Sequence, residues 1–185
     1  MSPLSLLQTL ECFVRALASY YTWLRVSTGA DDHLCETLDK LAAEEWAKVT
    51  LIRLEKRLFE KDPSLFHTLA IDLHELKGIA ASLALTMGGH PNPPAGEALF
   101  QAIRAEAVAA SLPCHQEVAS SNGLLEDLLR NVGLVAATHE RLLCDIARAK
   151  RIPVNNRPRS PFFIAQKIFA PAPSRGLRGG ALEQA

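Results

Sequence analysis

The stretch LCETLDKLAAEEWAKVTLIRLEKRLF, residues 34–59, decides how the rest of the chain is read. Leu34, Leu38, Leu41, Glu45, Lys48 (or Val49), Ile52 and Phe59 recur at helical spacing, the stripe of a helix packed on a core. Glu45 and Lys48 therefore fall on, or beside, the face meant for burial. An unpaired buried charge costs on the order of several kcal/mol, so each needs a partner. Three residues apart on one helix, the two can pair directly.

Working outward, residues 3–28 predict a first helix. Ser2 stands at its cap, and Leu6, Leu10, Phe13, Leu17, Tyr20 and Leu24 form its stripe. Gly29 ends it, and Asp31 and Asp32 offer acceptors to the start of the second helix, which runs to about Lys61. Asp62-Pro63-Ser64 breaks the chain. A third helix then carries the heptad Phe66, Leu69, Leu73, Leu76, Ala80, Leu83 and Met87, up to the stop at Gly88-Gly89. The Ala-rich segment 95–111 is weakly amphipathic through Leu99, Ile103 and Ala107, and is expected to be a short crossover or covering helix. The last long helix, from Gly123 to about Arg151, has the stripe Leu125, Leu128, Val132, Val135, His139, Leu142 and Ile146. His139 stands where an aliphatic residue would be expected. No stretch alternates as a strand does. The expectation is an all-α protein: four long antiparallel helices, one short extra helix and a tail.

Residues 1–151 then form the helical domain and residues 152–185 the tail. Residues 1–150 hold 14 Lys/Arg against 19 Asp/Glu, net −5, and residues 151–185 hold six basic residues against one acid, net +5. The tail's five prolines and three glycines predict disorder. Inside it, residues 160–171 are framed by Ser160-Pro161 and Pro171 as a short helix carrying Phe162, Phe163, Ile164, Ile168 and Phe169. Too short to stand alone in water, that segment is expected to dock on a protein partner, on a second copy or on its own domain.

Several function classes find no support. No apolar run reaches the roughly 18 residues of a membrane span, and the N-terminal residues lack the pattern of a signal peptide. Cys12, Cys35, Cys114 and Cys144 have no zinc-like spacing. They read as small buried hydrophobes of a reduced, cytoplasmic protein. There is no Gly-rich phosphate loop, and the basic tail has few interleaved aromatics, which does not point to nucleic acid.

The stripes of three helices are interrupted by polar groups: Tyr20, Glu45 with Lys48, and His139. In an antiparallel bundle these mid-helix positions lie at similar heights, and the expectation is one buried polar cluster. The run LDKLAAEEWAKVTLIRLEKRL resembles the second helix of ferritin-like and rubrerythrin-like bundles, and ALASYYTWL and LALTMGGHPNPP resemble other segments of that superfamily. The resemblance implies a four-helix bundle around two metal ions, iron or manganese, held by about four carboxylates and two histidines. On matching positions the chain offers Glu45 and His139. Lys48 stands where the Glu-x-x-His motif has its histidine, Phe13 or Val14 where the first helix would supply a glutamate, and Ala136 three residues before His139. Asp72 and Glu75, on the third helix, are the remaining candidate ligands, lying beside its stripe. Two readings follow. In the favoured one a salt bridge replaces the metal centre, and the bundle is a non-enzymatic module for protein interaction or self-association. In the alternative, Glu45, His139, Asp72 and Glu75 serve an iron-binding protein or a di-iron oxidoreductase.

Overall fold

A computed structural model describes residues 2–27, 31–62, 73–89, 94–112 and 123–153. Among these residues the protein is all-helical, with five helices and no strand: α1 (Pro3–Ser27), α2 (Asp32–Lys61), α3 (His74–Gly89), α4 (Ala95–Ala110) and α5 (Gly123–Ala149). No helix among the described residues is long and apolar enough to cross a membrane. Residues 63–72, 113–122 and 154–185 lie outside the described residues, and with them Asp72, Cys114 and the 160–171 segment.

The helix starts follow from local chemistry. Ser5 N–H donates to Ser2 Oγ at 3.2 Å, and Leu34 N–H donates to Asp31 at 3.0 Å, each satisfying an amide that the first turn leaves unpaired. α1 is buried on a broad arc rather than one stripe: Leu7, Val14, Ala18 and Tyr21 are as enclosed as Leu6, Leu10, Leu17 and Tyr20. The reason is its position, since it packs on α2, α3 and α4. Glu11, early in α1, pairs with Arg53 and Lys56 late in α2, both at 2.8 Å, and Arg25 pairs with Asp39 at 3.3 Å. α1 and α2 therefore run in opposite directions. Lys150, just past α5, donates to Asp31 at the start of α2, so α2 and α5 are also antiparallel.

The Ala-rich helix is not a cover. α4 buries Ala98, Leu99, Ala102, Ile103, Ala105, Glu106, Ala107, Ala109 and Ala110, and packs on α1, α3 and α5. The small size of its many alanines lets neighbouring backbones approach closely. Of the adjacent Leu142 and Leu143 on α5, Leu143 is buried and Leu142 faces outward. Cys12 is exposed and Cys35 and Cys144 are half-buried, so the expectation of buried cysteines does not hold for Cys12.

α5 ends in a Schellman motif. Ile152 N–H donates to Ala147 O at 2.8 Å and Arg151 N–H to Arg148 O at 3.1 Å, with Arg151 in the left-handed region at φ 54°. Ile152 packs against the core. A side chain at φ > 0 is strained where glycine is not. Arg151→Gly is therefore expected to stabilise the fold by about 0.5–1 kcal/mol, raising Tm by roughly 1–3 °C in a thermal melt. An unchanged or lower Tm would count against this account of the helix end.

Candidate functional site

Three of the four polar residues singled out in the sequence meet in the core. Glu45 is 1% exposed, and Lys48 Nζ lies 2.5 Å from its Oε1. One turn of α2 presents both to the interior, since they lie among the buried positions Leu41, Ala42, Val49 and Ile52. From α5, His139 brings its Nδ1 to 3.1 Å from Glu45 Oε1. The fourth residue, Tyr20, is buried, but its hydroxyl donates to the backbone, to Ala98 O at 3.0 Å, rather than to any of these three.

Two partners complete the centre. Glu106 of α4, fully enclosed, places Oε1 at 3.0 Å from His139 Nδ1 and accepts the hydroxyl hydrogen of Tyr21 on α1. Glu44, at the rim of α2, lies 2.6 Å from His139 Nε2 with its side chain 40% exposed. The site thus draws Tyr21 from α1, Glu44, Glu45 and Lys48 from α2, Glu106 from α4 and His139 from α5. Glu75 is exposed on α3, and Asp72 lies outside the described residues; among the described residues the third carboxylate at the centre is Glu106.

These residues carried readable but weak signals. Glu106 follows Ile103 by three and Leu99 by seven, so a stripe drawn through 99, 103, 106 and 110 includes it. Tyr21 follows Leu17 by four and Val14 by seven, a second stripe on the same helix.

The electrostatics are those of a self-neutralising centre. Burial raises the carboxyl of Glu106, and the charge of Glu45 raises it further, against the opposing hydrogen bond from His139. Burial raises the Tyr21 phenol well above its usual range, and the Glu106 and Glu45 charges add to this, so it stays a neutral donor. Burial opposes the imidazolium of His139, but its hydrogen bonds to Glu106 and Glu45 outweigh burial and lift its pKa to about 10. At neutral pH both ring nitrogens then donate, Nδ1–H toward Glu106 and Glu45, Nε2–H toward Glu44. In the enclosed part of the centre two basic side chains, Lys48 and His139, stand against Glu45 and Glu106, and Glu44 adds a further carboxylate at the rim. One atom is left over: Glu106 Oε2 is buried with no hydrogen-bond partner.

Glu45, Glu106 and His139 also form the one set of three potential metal-ligating side chains found among the described residues, each offering one ligand atom, all within 4.8 Å of one another. Two carboxylate oxygens and an imidazole nitrogen suit a divalent ion such as iron, manganese or zinc. To bind one, His139 would lose its Nδ1 proton, and Lys48 would have to leave Glu45 or share it.

No family model matches the chain, and neither a curated protein nor a solved structure does.

A group whose folded pKa is raised binds its proton more tightly in the native state. For His139 that contribution is fully present below the unfolded value of 6.5 and is lost as pH rises to about 10, by roughly 1.4 kcal/mol per pH unit. Thermal stability should therefore decline across that window. An NMR titration of the wild type should show the ring still protonated at pH 8. In Glu106→Gln the midpoint should fall by at least one pH unit. A wild-type midpoint near 6.5 would refute this charge assignment.

Proposed function

We propose that the chain is a non-enzymatic, ferritin-like antiparallel four-helix bundle that acts as a self-association or protein-interaction module. α1, α2, α5 and α4 are its four helices, and α3 is a helix added against α1 and α4. A salt-bridge centre takes the place of a di-metal site. The observation that carries this reading is Lys48. Its ammonium lies against Glu45 in the core, at the position where the Glu-x-x-His pattern would put a metal-binding histidine. With His139 it supplies the two positive charges that the buried carboxylates need. Two further departures support the reading: Phe13 or Val14, and Ala136, at positions where such a site would have glutamates, are buried apolar residues.

A second reading, that the protein binds a metal, has one observation of its own. Glu106 Oε2 is an enclosed carboxylate oxygen without a donor, within a set of three ligating groups. Glu45, Glu106 and His139 would hold the ion, which would supply Lewis acidity. Tyr21 would fix the orientation of Glu106, and Glu44 that of the His139 ring.

Metal content separates the two. After dialysis against iron(II) or manganese(II), the wild type is expected to retain well under one ion per chain. Lys48→His combined with Ala136→Glu, which rebuilds both Glu-x-x-His patterns, is expected to gain at least tenfold. About one ion per chain, lost in Glu106→Gln, would instead establish the second reading. About two ions per wild-type chain, lost in Glu45→Ala, would overturn the salt-bridge reading altogether.

A further inference from the structure

The face of α2 opposite the polar centre is unusually apolar for a surface. Of the exposed large apolar side chains among the described residues, Trp46, Leu51 and Leu54 all stand on this helix, with Leu51 51% and Leu54 52% accessible. Ala43 and Ala47 are also exposed and Leu58 is half-buried. At about 100° per residue, Ala43, Ala47, Leu51, Leu54 and Leu58 fall within an arc of about 80°, bounded along the helix by the exposed Lys40 and Lys61 and turned away from Glu45, Val49 and Ile52. Their spacing of four, four, three and four residues resembles the seam of a helix pair, continued over about 22 Å.

The order of sizes along this seam says what fits it. When two copies of α2 cross antiparallel about a two-fold axis at Leu51, Ala47 of each meets Leu54 of the other, and Ala43 meets Leu58. Every leucine beyond the axis faces an alanine, so a large side chain enters the space left by a small one. In a parallel pairing alanine would face alanine and leave voids while leucine faced leucine, so the seam would be filled unevenly. A symmetric dimer requires a patch complementary to itself after a half-turn, a condition this seam meets without any other segment.

We infer that the outer face of α2 is a homodimer interface, two copies packing antiparallel through Ala43, Ala47, Leu51, Leu54 and Leu58 with Leu51 on the two-fold axis. The inference rests on the self-association reading above and names its surface and partner. One helix per copy gives a small interface, so the dimer forms reversibly with concentration.

The test uses the full-length chain. In a Cys12→Ser/Cys114→Ser background, which removes the exposed thiol of the described residues and the one outside them, Leu51→Cys is expected to cross-link to itself under mild oxidation. Ala43→Cys and Leu58→Cys are each expected to cross-link at least tenfold less alone than when mixed. Sedimentation should show a concentration-dependent dimer, reduced at least tenfold in Leu51→Glu/Leu54→Glu. Both leucines are exposed, so thermal melts should show that variant folded. A dimer that persists in the folded double variant overturns this interface but leaves self-association standing. A dimer lost instead in Phe162→Ser/Phe163→Ser places the contact in the 160–171 segment and also overturns it. A wild type monomeric at several hundred micromolar removes both the interface and the self-association reading.

Discussion

The fold depends on how two carboxylates are tolerated in the middle of a helical core. Glu45 and Glu106 are as enclosed as the leucines around them, and each would cost several kcal/mol, on the order of magnitude of the whole stability, if left charged and alone. His139 and Lys48 remove that cost by different means. Lys48 is a flexible ammonium on the same helix as its partner, so it follows Glu45 wherever α2 goes. His139 is a rigid ring from another helix, holding Glu45 and Glu106 to one nitrogen and Glu44 to the other. The first link is local and makes no demand on tertiary structure. The second is satisfied only when α2, α4 and α5 sit at one relative height.

The same contrast explains what could be read from the chain alone. The stripe of α2 was legible because its apolar residues are large and regular, and the two charges within it stood out as exceptions. His139 was legible for the same reason. Glu106 was less so, because most of its buried neighbours are alanines, a residue found on enclosed and exposed helix faces alike. Tyr20 was favoured over Tyr21 because the stripe drawn through Leu17 and Leu24 fits either. α1 buries both, and only the position of α4 decides which hydroxyl meets a carboxylate and which meets the backbone carbonyl of Ala98. Leu142 and Leu143 pose the same one-residue ambiguity, settled by where α4 and α2 lie against α5. Helix identity is thus a local property of this sequence. The membership of the polar centre is not, since it depends on which helices become neighbours.

The centre also joins two halves of the molecule. α1 and α2 form one antiparallel pair, tied by Glu11 to Arg53 and Lys56, and α4 and α5 form another around the Glu106–His139 contact. Tyr21, Glu45 and Lys48 come from the first pair, Glu106 and His139 from the second. Within each pair the apolar stripes recur every turn, so a slip by one turn would still set apolar side chains against apolar side chains.

Between the pairs, sliding is another matter. One helical turn is about 5.4 Å, and a shift of that size would carry His139 out of reach of Glu45 and Glu44 while leaving most apolar side chains still enclosed. Misdocked arrangements would then strand charges in a dry interior, whereas the native one strands none of the four. The His139 contacts therefore work as a depth gauge during assembly. Greasy helix pairs can collapse together early, but they lock at the one height where acid meets base. Since that discrimination depends on a protonated ring, it should fade at strongly alkaline pH, where refolding would yield a mixture of slipped compact forms rather than a single native state.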